Sequence, residues 1–282
     1  MEVTAIVPWA GSKRTLAPTI VAELGRHKAY WELCCGSCAV LLAKPESSHE
    51  TVADLNGDLT NLCRILQSDR CFELYERCAR AIVNEDLYRH AFGVTKGPFE
   101  GTNDLERAYW FLVASWWGLN GMAGTTKRGK SIAVRFTPGG GQGGIRWRNA
   151  TDSMPEWHER LRSVVVLRRD AFDVVDKIDD VEGVAIYFDP PYVVKGFCYL
   201  HDFEAKDHFR MAEKLRRFKK ARVVVSYYDH PSIREAYKGW SFMDVSLSKS
   251  MVSSGRRERD NDAQAPELLI VNGRSYREGL FE

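Results

Sequence analysis

The stretch VAIYFDPPYV, residues 184–193, places an acid, two prolines and a tyrosine directly after an apolar run. The apolar residues 184–188 predict a buried strand, and the prolines end it because they lack the N–H that a sheet ladder needs. Asp189 therefore lies where a strand stops. Ligands of open α/β sheets bind beyond such carboxyl ends, so the stretch predicts a functional site at a sheet edge.

The rest of the chain repeats this alternation of strand and helix. Strands are predicted at 30–33, 51–53, 164–167, 222–226 and 268–271, and helices at 16–24, 39–43, 59–67, 171–178 and 208–218. Such βα units, separated by short turns, predict a mostly parallel sheet covered by helices. We assign this α/β domain to residues 1–71 and 159–282.

The segment 72–158 interrupts the alternation and is interpreted as an inserted, mainly helical lobe. Its pattern is helical to about residue 120, whereas 121–149 is rich in Gly, Thr, Lys and Arg and predicts a loop, or a hairpin bounded by one. The aromatic clusters 109–111 and 116–117 offer surfaces on which bases could stack. Their helical spacing favours the core of the lobe instead.

The composition limits the possible classes of protein. Apolar residues make up 44% of the 282 residues, without a run long enough to span a membrane or an N-terminal signal peptide, so we expect a cytosolic protein. The seven cysteines are an odd number and do not suggest a disulfide framework. The pair in CGSC, residues 35–38, lacks the partners of a zinc site, so no metal is expected.

Three further acids are predicted at the same sheet edge as Asp189, namely Glu32, Asp54 and Asp170. Each alone is more often a cap or turn residue. Together, beside the turn CCGSC at 34–38, they indicate a ligand, and an acid about 20 residues beyond a glycine turn commonly binds ribose hydroxyls. The turn is neither GxGxxG nor a P-loop, which favours a nucleoside without phosphates, of which S-adenosylmethionine is the common one.

The motif Asp189, Pro190, Pro191 and Tyr192 suits an exocyclic amine on an aromatic base. The lone pair of such a nitrogen is delocalised into the ring and is a poor nucleophile. Asp189 and the Pro190 carbonyl can each accept one N–H, which directs the lone pair towards a methyl donor. The prolines fix this carbonyl, and Tyr192 can stack on the base. The alternative is an ordinary proline turn after a strand.

These motifs together resemble those of Dam-like N6-adenine DNA methyltransferases, particularly phage-encoded members. The similar elements are PWAGSK at 8–13, ELCCGSC at 32–38, ADLNGDL at 53–59, RDA at 169–171, DPPY at 189–192 and ELLIVN at 267–272. The resemblance implies a class I methyltransferase (Rossmann-like) sheet with a reversed terminal hairpin and a target-recognition lobe at 72–158. It implies an S-adenosylmethionine pocket lined by Trp9, Lys13, Glu32, Cys34, Gly36, Ser37, Asp54, Asp170, Ala171 and Asp189.

The implied reaction is methylation of the N6 amine of adenine in double-stranded DNA, with the target base flipped out of the helix. Positive charge is clustered although the net charge is only +2, and clustered charge can mark a phosphate-contacting face. The candidate DNA contacts are Asn120, Lys127, Arg128, Lys130, Arg146, Arg148, Arg256 and Arg257. We expect a monomer or a weak dimer, without a metal or a membrane partner.

Other functions remain open from the sequence. Methyltransferases acting on N4 of cytosine, or on a protein amide, more often carry Ser or Asn in place of Asp189. A DNA-binding relative impaired in catalysis is also compatible, because Leu33 and Cys38 replace a proline and a glycine of the family's cofactor loop. A cysteine at 38 predicts a tighter pocket or weaker cofactor binding.

Overall fold

The computed structural model describes residues 4–118, 123–125, 131–134, 142–193, 199–245 and 267–276. The helices in these ranges are α1 (Ala17–Leu24), α2 (Ala39–Ala43), α3 (Gly57–Gln67), α4 (Arg70–Arg80), α5 (Glu85–Val94), α6 (Leu105–Trp117), α7 (Gly143–Asp152), α8 (Met154–Leu161), α9 (Ala171–Val175), α10 (Ala205–Leu215) and α11 (Pro231–Ala236). The strands are β1 (Ala29–Leu33), β2 (His49–Ala53), β3 (Val164–Leu167), β4 (Val184–Phe188), β5 (Arg222–Tyr228), β6 (Ser241–Asp244) and β7 (Glu267–Val271).

The strands form one sheet of seven, in the order β3-β2-β1-β4-β5-β7-β6. Strands β1 to β5 are parallel, whereas β7 runs antiparallel between β5 and β6. The predicted mostly parallel sheet is thus confirmed, including the reversed last hairpin. Strand order changes direction between β1 and β4, and this switch point is where ligands of open α/β sheets bind. Leu33 pairs with Phe188, so the turn after β1 lies beside Asp189.

Both faces of the sheet are buried. Ala185 and Tyr187 belong to one hydrophobic cluster, and Ile186 and Phe188 belong to a second cluster. Because successive side chains of a strand point to opposite faces, the apolar run 184–188 contributes to both cores. This explains why the strand reads as a continuous apolar run rather than as an alternating pattern.

Helices α4 to α8 span residues 70–161, slightly more than the segment 72–158, and share the first of these two clusters with one face of the sheet. The aromatic residues of α6 form part of this core, as their helical spacing predicts. The indole N–H of Trp116 donates to the Ile6 carbonyl at 3.1 Å, and that of Trp147 donates to the Cys78 carbonyl at 3.1 Å. The segment is therefore packed directly on the N-terminal chain.

One part of the sequence prediction is wrong here. Residues 143–149, predicted as loop, belong to helix α7, because Trp147 and Ala150 are buried on one side of it. This apolar pair at i and i+3 is obscured by the glycine-rich stretch that precedes it. Helices α8 and α11 were not predicted either, and the short strand β6 was expected only as part of the reversed terminal hairpin. Among the described residues, no helix is long and apolar enough to cross a membrane.

Gly57 and Gly93 provide a matched test of this packing. A Cβ on Gly57, at the start of α3, would lie 1.9 Å from the Phe99 carbonyl oxygen, whereas one on Gly93 in α5 meets nothing within 4 Å. We expect Gly57→Ala to lower the free energy of unfolding by about 1–3 kcal/mol through overpacking. Gly93→Ala should raise it by about 0.5–1 kcal/mol through helix propensity. Chemical denaturation measures both, and equal effects would contradict the contact at Gly57.

Candidate active site

A pocket opens at the carboxyl edge of the sheet, at the switch point between β1 and β4. The predicted catalytic residues Asp189, Pro190, Pro191 and Tyr192 all line it. The predicted cofactor residues that line it as well are Trp9, Lys13, Glu32, Cys34, Gly36, Ser37, Asp54, Asp170 and Ala171. The fold thus brings segments that are distant in sequence to one pocket.

Asp189 follows β4 directly and is tied to both β1 and the N-terminal segment. Its backbone N–H donates to the Leu33 carbonyl at 3.3 Å, and its Oδ2 lies 2.8 Å from the Lys13 ammonium. Burial raises the pKa of Asp189 to about 6, although the Lys13 charge acts in the opposite direction. The carboxylate is therefore mainly ionised at neutral pH and can accept hydrogen bonds.

Lys13 connects Asp189 to a second carboxylate, that of Glu267. The Lys13 Nζ lies 3.4 Å from Glu267 Oε1 and donates to the Gly11 carbonyl at 2.8 Å. Burial lowers the pKa of Lys13, but the charges of Asp189 and Glu267 outweigh it, so the net shift is upward. The ammonium stays protonated. The Tyr192 hydroxyl donates to Glu267 Oε1 at 2.7 Å and to Asp189 Oδ1 at 3.3 Å.

Sequence reasoning did not include Glu267 among the site residues, because it sought acids that end strands. Glu267 begins β7, and β7 is antiparallel to β5. The first residue of a reversed strand lies at the same edge as the last residues of the parallel strands. The sequence signal that could have identified Glu267 is its position as an acid at the start of the reversed terminal strand.

The turn after β1 is shaped by Gly36 and Asp54. Gly36 has φ +47°, and a Cβ there would lie 2.8 Å from the Trp9 indole nitrogen, so glycine is required. The Asp54 carboxylate accepts the N–H of Gly36 at 3.0 Å and that of Asn56 at 2.8 Å. Burial raises the pKa of Asp54. Each oxygen keeps a second lone pair, so holding this turn leaves acceptor capacity for a ligand hydroxyl.

Glu32, near the end of β1, stabilises the same turn through buried hydrogen bonds. Its side chain is buried, and Oε2 accepts the Tyr30 hydroxyl at 2.8 Å and the Leu41 N–H at 3.0 Å. Burial raises the pKa of Glu32 to about 8. Near neutral pH the group is therefore largely protonated, and it joins β1 to the start of α2 without a full buried charge.

The two cysteines that flank this turn adopt unusual backbone conformations. Cys34 has φ 59° and Cys38 has φ 56°, both in the left-handed region that favours glycine. The Cys38 thiol is fully buried in the core cluster and is not among the groups that line the pocket. The prediction that it makes the pocket tighter is therefore wrong. The cysteine costs backbone strain instead, about 1–2 kcal/mol.

The far end of the pocket has an aromatic wall that the sequence did not reveal. Asp170 caps helix α9 by accepting the Phe172 N–H at 2.8 Å. The Phe172 ring stacks on Phe203 with centroids 5.4 Å apart, and the Arg210 guanidinium lies 4.1 Å from the Phe172 ring. Flat apolar surface next to an acid is a suitable environment for a heteroaromatic ring bearing polar groups.

Residues 123–125 lie against the N-terminal wall of the pocket. Ala123 pairs with Trp9, and Thr125 pairs with Tyr199. A Cβ on Gly124 would lie 2.3 Å from the Trp9 ring, so this ring is enclosed between Gly36 and Gly124. Part of the segment 72–158 thus reaches the pocket directly.

The predicted DNA contacts lie away from this pocket or outside the described residues. Arg146 and Arg148 are on helix α7, and neither lines the pocket. The Arg146 guanidinium lies 5.9 Å from the Trp116 ring. The candidates outside the described residues are Asn120, Lys127, Arg128, Lys130, Arg256 and Arg257. Within the described ranges, no cluster of three His, Cys, Asp or Glu side chains could hold a metal ion.

The sheet order with its reversed seventh strand, together with Asp-Pro-Pro-Tyr beyond β4, defines a class I amino-methyltransferase. Residues 9–251 match the family described as D12 class N6 adenine-specific DNA methyltransferase, and the chain belongs to this family. It is therefore an adenine-specific DNA methyltransferase that uses S-adenosylmethionine.

One curated relative agrees with this assignment, and two solved structures match with low TM-scores. The chain is 25% identical over 281 residues to the retron Ec67 DNA adenine methylase of Escherichia coli, covering 96% of this chain and 92% of the relative. A crystal structure of SMU.776, described as a proposed methyltransferase complexed with SAH, matches with TM-score 0.38 and 10% identity over 94% of this chain and 50% of its own. A proposed methyltransferase from Thermoplasma acidophilum matches with TM-score 0.25 and 14% identity over 45% of this chain and 52% of its own. The chain spans about half of each solved chain, and the fold assignment rests on the sheet order rather than on these two neighbours.

The pocket residues fit S-adenosylmethionine. The acids Asp54, Asp170 and Asp189 would repel the phosphates of a dinucleotide but attract a positively charged sulfonium. The Phe172 wall offers a surface for adenine. The uncovered backbone of Gly36 lets a ligand approach closely beside Trp9, a space that any larger residue would fill.

Gly36 and Cys38 give a paired prediction for cofactor binding. In Gly36→Ala the new Cβ displaces Trp9, so we expect the Kd for S-adenosylmethionine to rise at least about tenfold, or about 1.4 kcal/mol. In Cys38→Gly the change is confined to the core, so the Kd should stay within about twofold of wild type. The corresponding change in binding free energy is well below about 1.4 kcal/mol. Isothermal titration calorimetry measures both. A large effect of Cys38→Gly would contradict the position of its side chain.

Proposed function

We propose that Asp189 and the Pro190 carbonyl orient the N6 amine of a flipped adenine in double-stranded DNA, while Tyr192 forms a wall for the base. The observation that carries this proposal is the placement of Asp189. It ends a rigid central strand and lies in the pocket with its carboxylate held by Lys13 at 2.8 Å. Rigid placement of this kind is what positional catalysis requires.

The protein's contribution to the reaction is mainly geometric and electrostatic. S-adenosylmethionine, when bound, supplies an electrophilic methyl group on a positively charged sulfur. Asp189 accepts one N–H of the amine and the Pro190 carbonyl accepts the other, so that the nitrogen lone pair turns out of the ring plane. As the N–CH₃ bond forms and the bond between this methyl group and the sulfur breaks, the sulfur leaves as a neutral thioether, and the nitrogen becomes positively charged and releases one proton. The Asp189 carboxylate is the acceptor in contact with it, and its pKa of about 6 allows it to pass the proton on to water.

Lys13 supports Asp189 in this role. Its ammonium contacts Oδ2, so Oδ1, whose contact with the Tyr192 hydroxyl is longer at 3.3 Å, keeps a lone pair for the incoming amine. The ion pair also lowers the pKa of Asp189 against the effect of burial. Without it, the carboxyl would be protonated over more of the neutral range and would lose acceptor capacity.

We further propose that the segment 72–158 recognises the DNA target. Residues 123–125 support this role, because they pair with Trp9 and Tyr199 and connect the segment to the pocket. Base flipping costs roughly a few kcal/mol, which contacts to the DNA backbone must offset. The basic residues of this segment are candidates for such contacts. The cytoplasmic location of the protein and its expected state, a monomer or a weak dimer, stay predictions.

The rival functions receive less support. The family match favours adenine over the N4 amine of cytosine, and Asp189 is the residue expected for adenine. A relative impaired in catalysis would have no need of the network around Asp189. This network is complete in the described structure, with Lys13, Glu267 and Tyr192 all in contact.

Replacing Asp189 tests the proposed roles. We expect Asp189→Ala to lower the methyl-transfer rate by at least about 100-fold, because the amine loses its acceptor, while DNA binding is retained. The measurement uses radiolabelled S-adenosylmethionine and unmethylated DNA, followed by digestion and identification of the labelled nucleoside. Asp176→Asn, on the surface beside Lys214, is the control. Label on cytosine, or a rate within a few-fold of wild type, would refute the proposed mechanism.

The pH dependence of the reaction is a second test. Because burial raises the pKa of Asp189 to about 6, the acceptor is protonated and lost as the pH falls through this value. We expect kcat/KM to decline below about pH 6 and to be nearly constant just above it. The profile is measured with saturating S-adenosylmethionine between pH 5 and 8, which covers about one unit below and about two units above the pKa of Asp189. A flat profile down to pH 5 would contradict the proposed role of the carboxylate.

A further inference from the structure

Glu267 is the member of the pocket network whose role the family motif around Asp189 does not explain. It lies 75–78 residues beyond that motif in sequence, at the start of β7. We propose that Glu267 is a positioning residue for methyl transfer, which holds the Lys13 ammonium and the Tyr192 hydroxyl on the two oxygens of Asp189. The inference rests on the proposed roles of Asp189 and Tyr192.

The contacts around Glu267 form a closed ring. Its Oε1 accepts the Tyr192 hydroxyl at 2.7 Å and lies 3.4 Å from the Lys13 Nζ. The same ammonium lies 2.8 Å from Asp189 Oδ2, and the same hydroxyl lies 3.3 Å from Asp189 Oδ1. One oxygen of Glu267 therefore fixes both groups that contact Asp189, one on each carboxylate oxygen.

The backbone of Glu267 is itself well fixed. It pairs with Tyr228 in the antiparallel register of β5 and β7, and its carbonyl accepts the Val245 N–H at 2.9 Å. Tyr228 also packs edge-on against the Tyr192 ring, with centroids 4.5 Å apart. The strand pair thus holds the carboxylate and the tyrosine wall in one rigid unit, as precise positioning requires.

Stability alone is a poor explanation for this arrangement. The side chains of Lys13, Asp189 and Glu267 are only 7%, 19% and 15% exposed. Burying charged groups such as these two carboxylates and one ammonium commonly costs more free energy than their ion pairs contribute. An arrangement of this cost is expected where it fixes reacting groups.

The charge of Glu267 has a separate, measurable consequence. It raises the pKa of Asp189, whereas Lys13 lowers it. Among the residues that the structure describes, the other titratable groups whose pKa responds to Asp189 are Glu32, Cys34, Tyr187, Tyr192, Tyr199, Tyr227 and Tyr228. All of them have raised pKa values and are neutral near pH 6, so they do not obscure the titration of Asp189.

Two substitutions distinguish the effect of the hydrogen-bond acceptor of Glu267 from the effect of its negative charge. Glu267→Gln keeps an oxygen acceptor for Tyr192 but removes the charge, so the acid limb of kcat/KM should move to lower pH with only a few-fold loss of kcat. Glu267→Ala removes both and should lower kcat about 10- to 100-fold, because the groups on Asp189 lose their anchor. The Kd for S-adenosylmethionine should stay within about twofold in both variants, since Glu267 does not line the pocket. Glu213→Gln on the exposed face of α10 is the control.

A double-mutant cycle tests the ring directly. If Glu267 acts through the Tyr192 hydroxyl, Tyr192→Phe should lower kcat in the wild-type background but have little further effect in Glu267→Ala. Additive losses, together with an unshifted acid limb in Glu267→Gln, would overturn the proposal. If Glu267→Ala does not fold, the pH profile of Glu267→Gln is the test, and an unshifted decline of kcat/KM at acid pH would by itself overturn the proposal. Retained activity in Asp189→Ala would instead refute the proposed function and not the contacts of Glu267.

Discussion

The ion pair between Lys13 and Asp189 is the interaction on which the rest of the site depends. Asp189 is placed by a strand that is buried on both faces, so its charge needs a partner close by. Lys13 can supply it only if the N-terminal segment is brought over the sheet edge. The Ile6 N–H donates to the Ser37 carbonyl at 3.1 Å, and the Ser12 and Ser37 hydroxyls lie 2.8 Å apart. The contacts that place the Lys13 ammonium beside Asp189 also hold the turn after β1, residues 34–38, which is the proposed cofactor turn.

This arrangement couples the pocket to the helical segment. Trp9 lies between Gly36 of the cofactor turn and Gly124 of the segment 72–158. Trp116 of α6 donates to the Ile6 carbonyl a few residues before Trp9. The N-terminal chain is thus held from both sides, by the cofactor turn and by the segment proposed to recognise DNA.

The two acids that contact Lys13 come from opposite strand directions. Asp189 ends a parallel strand and Glu267 begins an antiparallel one, and the reversal of β7 places both at one edge. Glu32, deeper in the pocket, is largely protonated near neutral pH because burial raises its pKa to about 8. The negative charge is therefore carried mainly by acids such as Asp189 and Glu267, which contact Lys13. This charge would also attract a positively charged sulfur.

The sequence alone determined the parallel sheet, the position of Asp189 at a strand end and the acids Glu32, Asp54 and Asp170 that share its edge. These follow from local patterns, since an apolar run that stops at proline marks a strand end and parallel strands end at one edge. Tertiary structure decided the rest. Glu267 reaches the site because β7 is reversed, the Cys38 thiol is buried in the core instead of lining the pocket, and Trp147 of α7 is buried. Each depends on contacts between residues far apart in sequence, which no local pattern records.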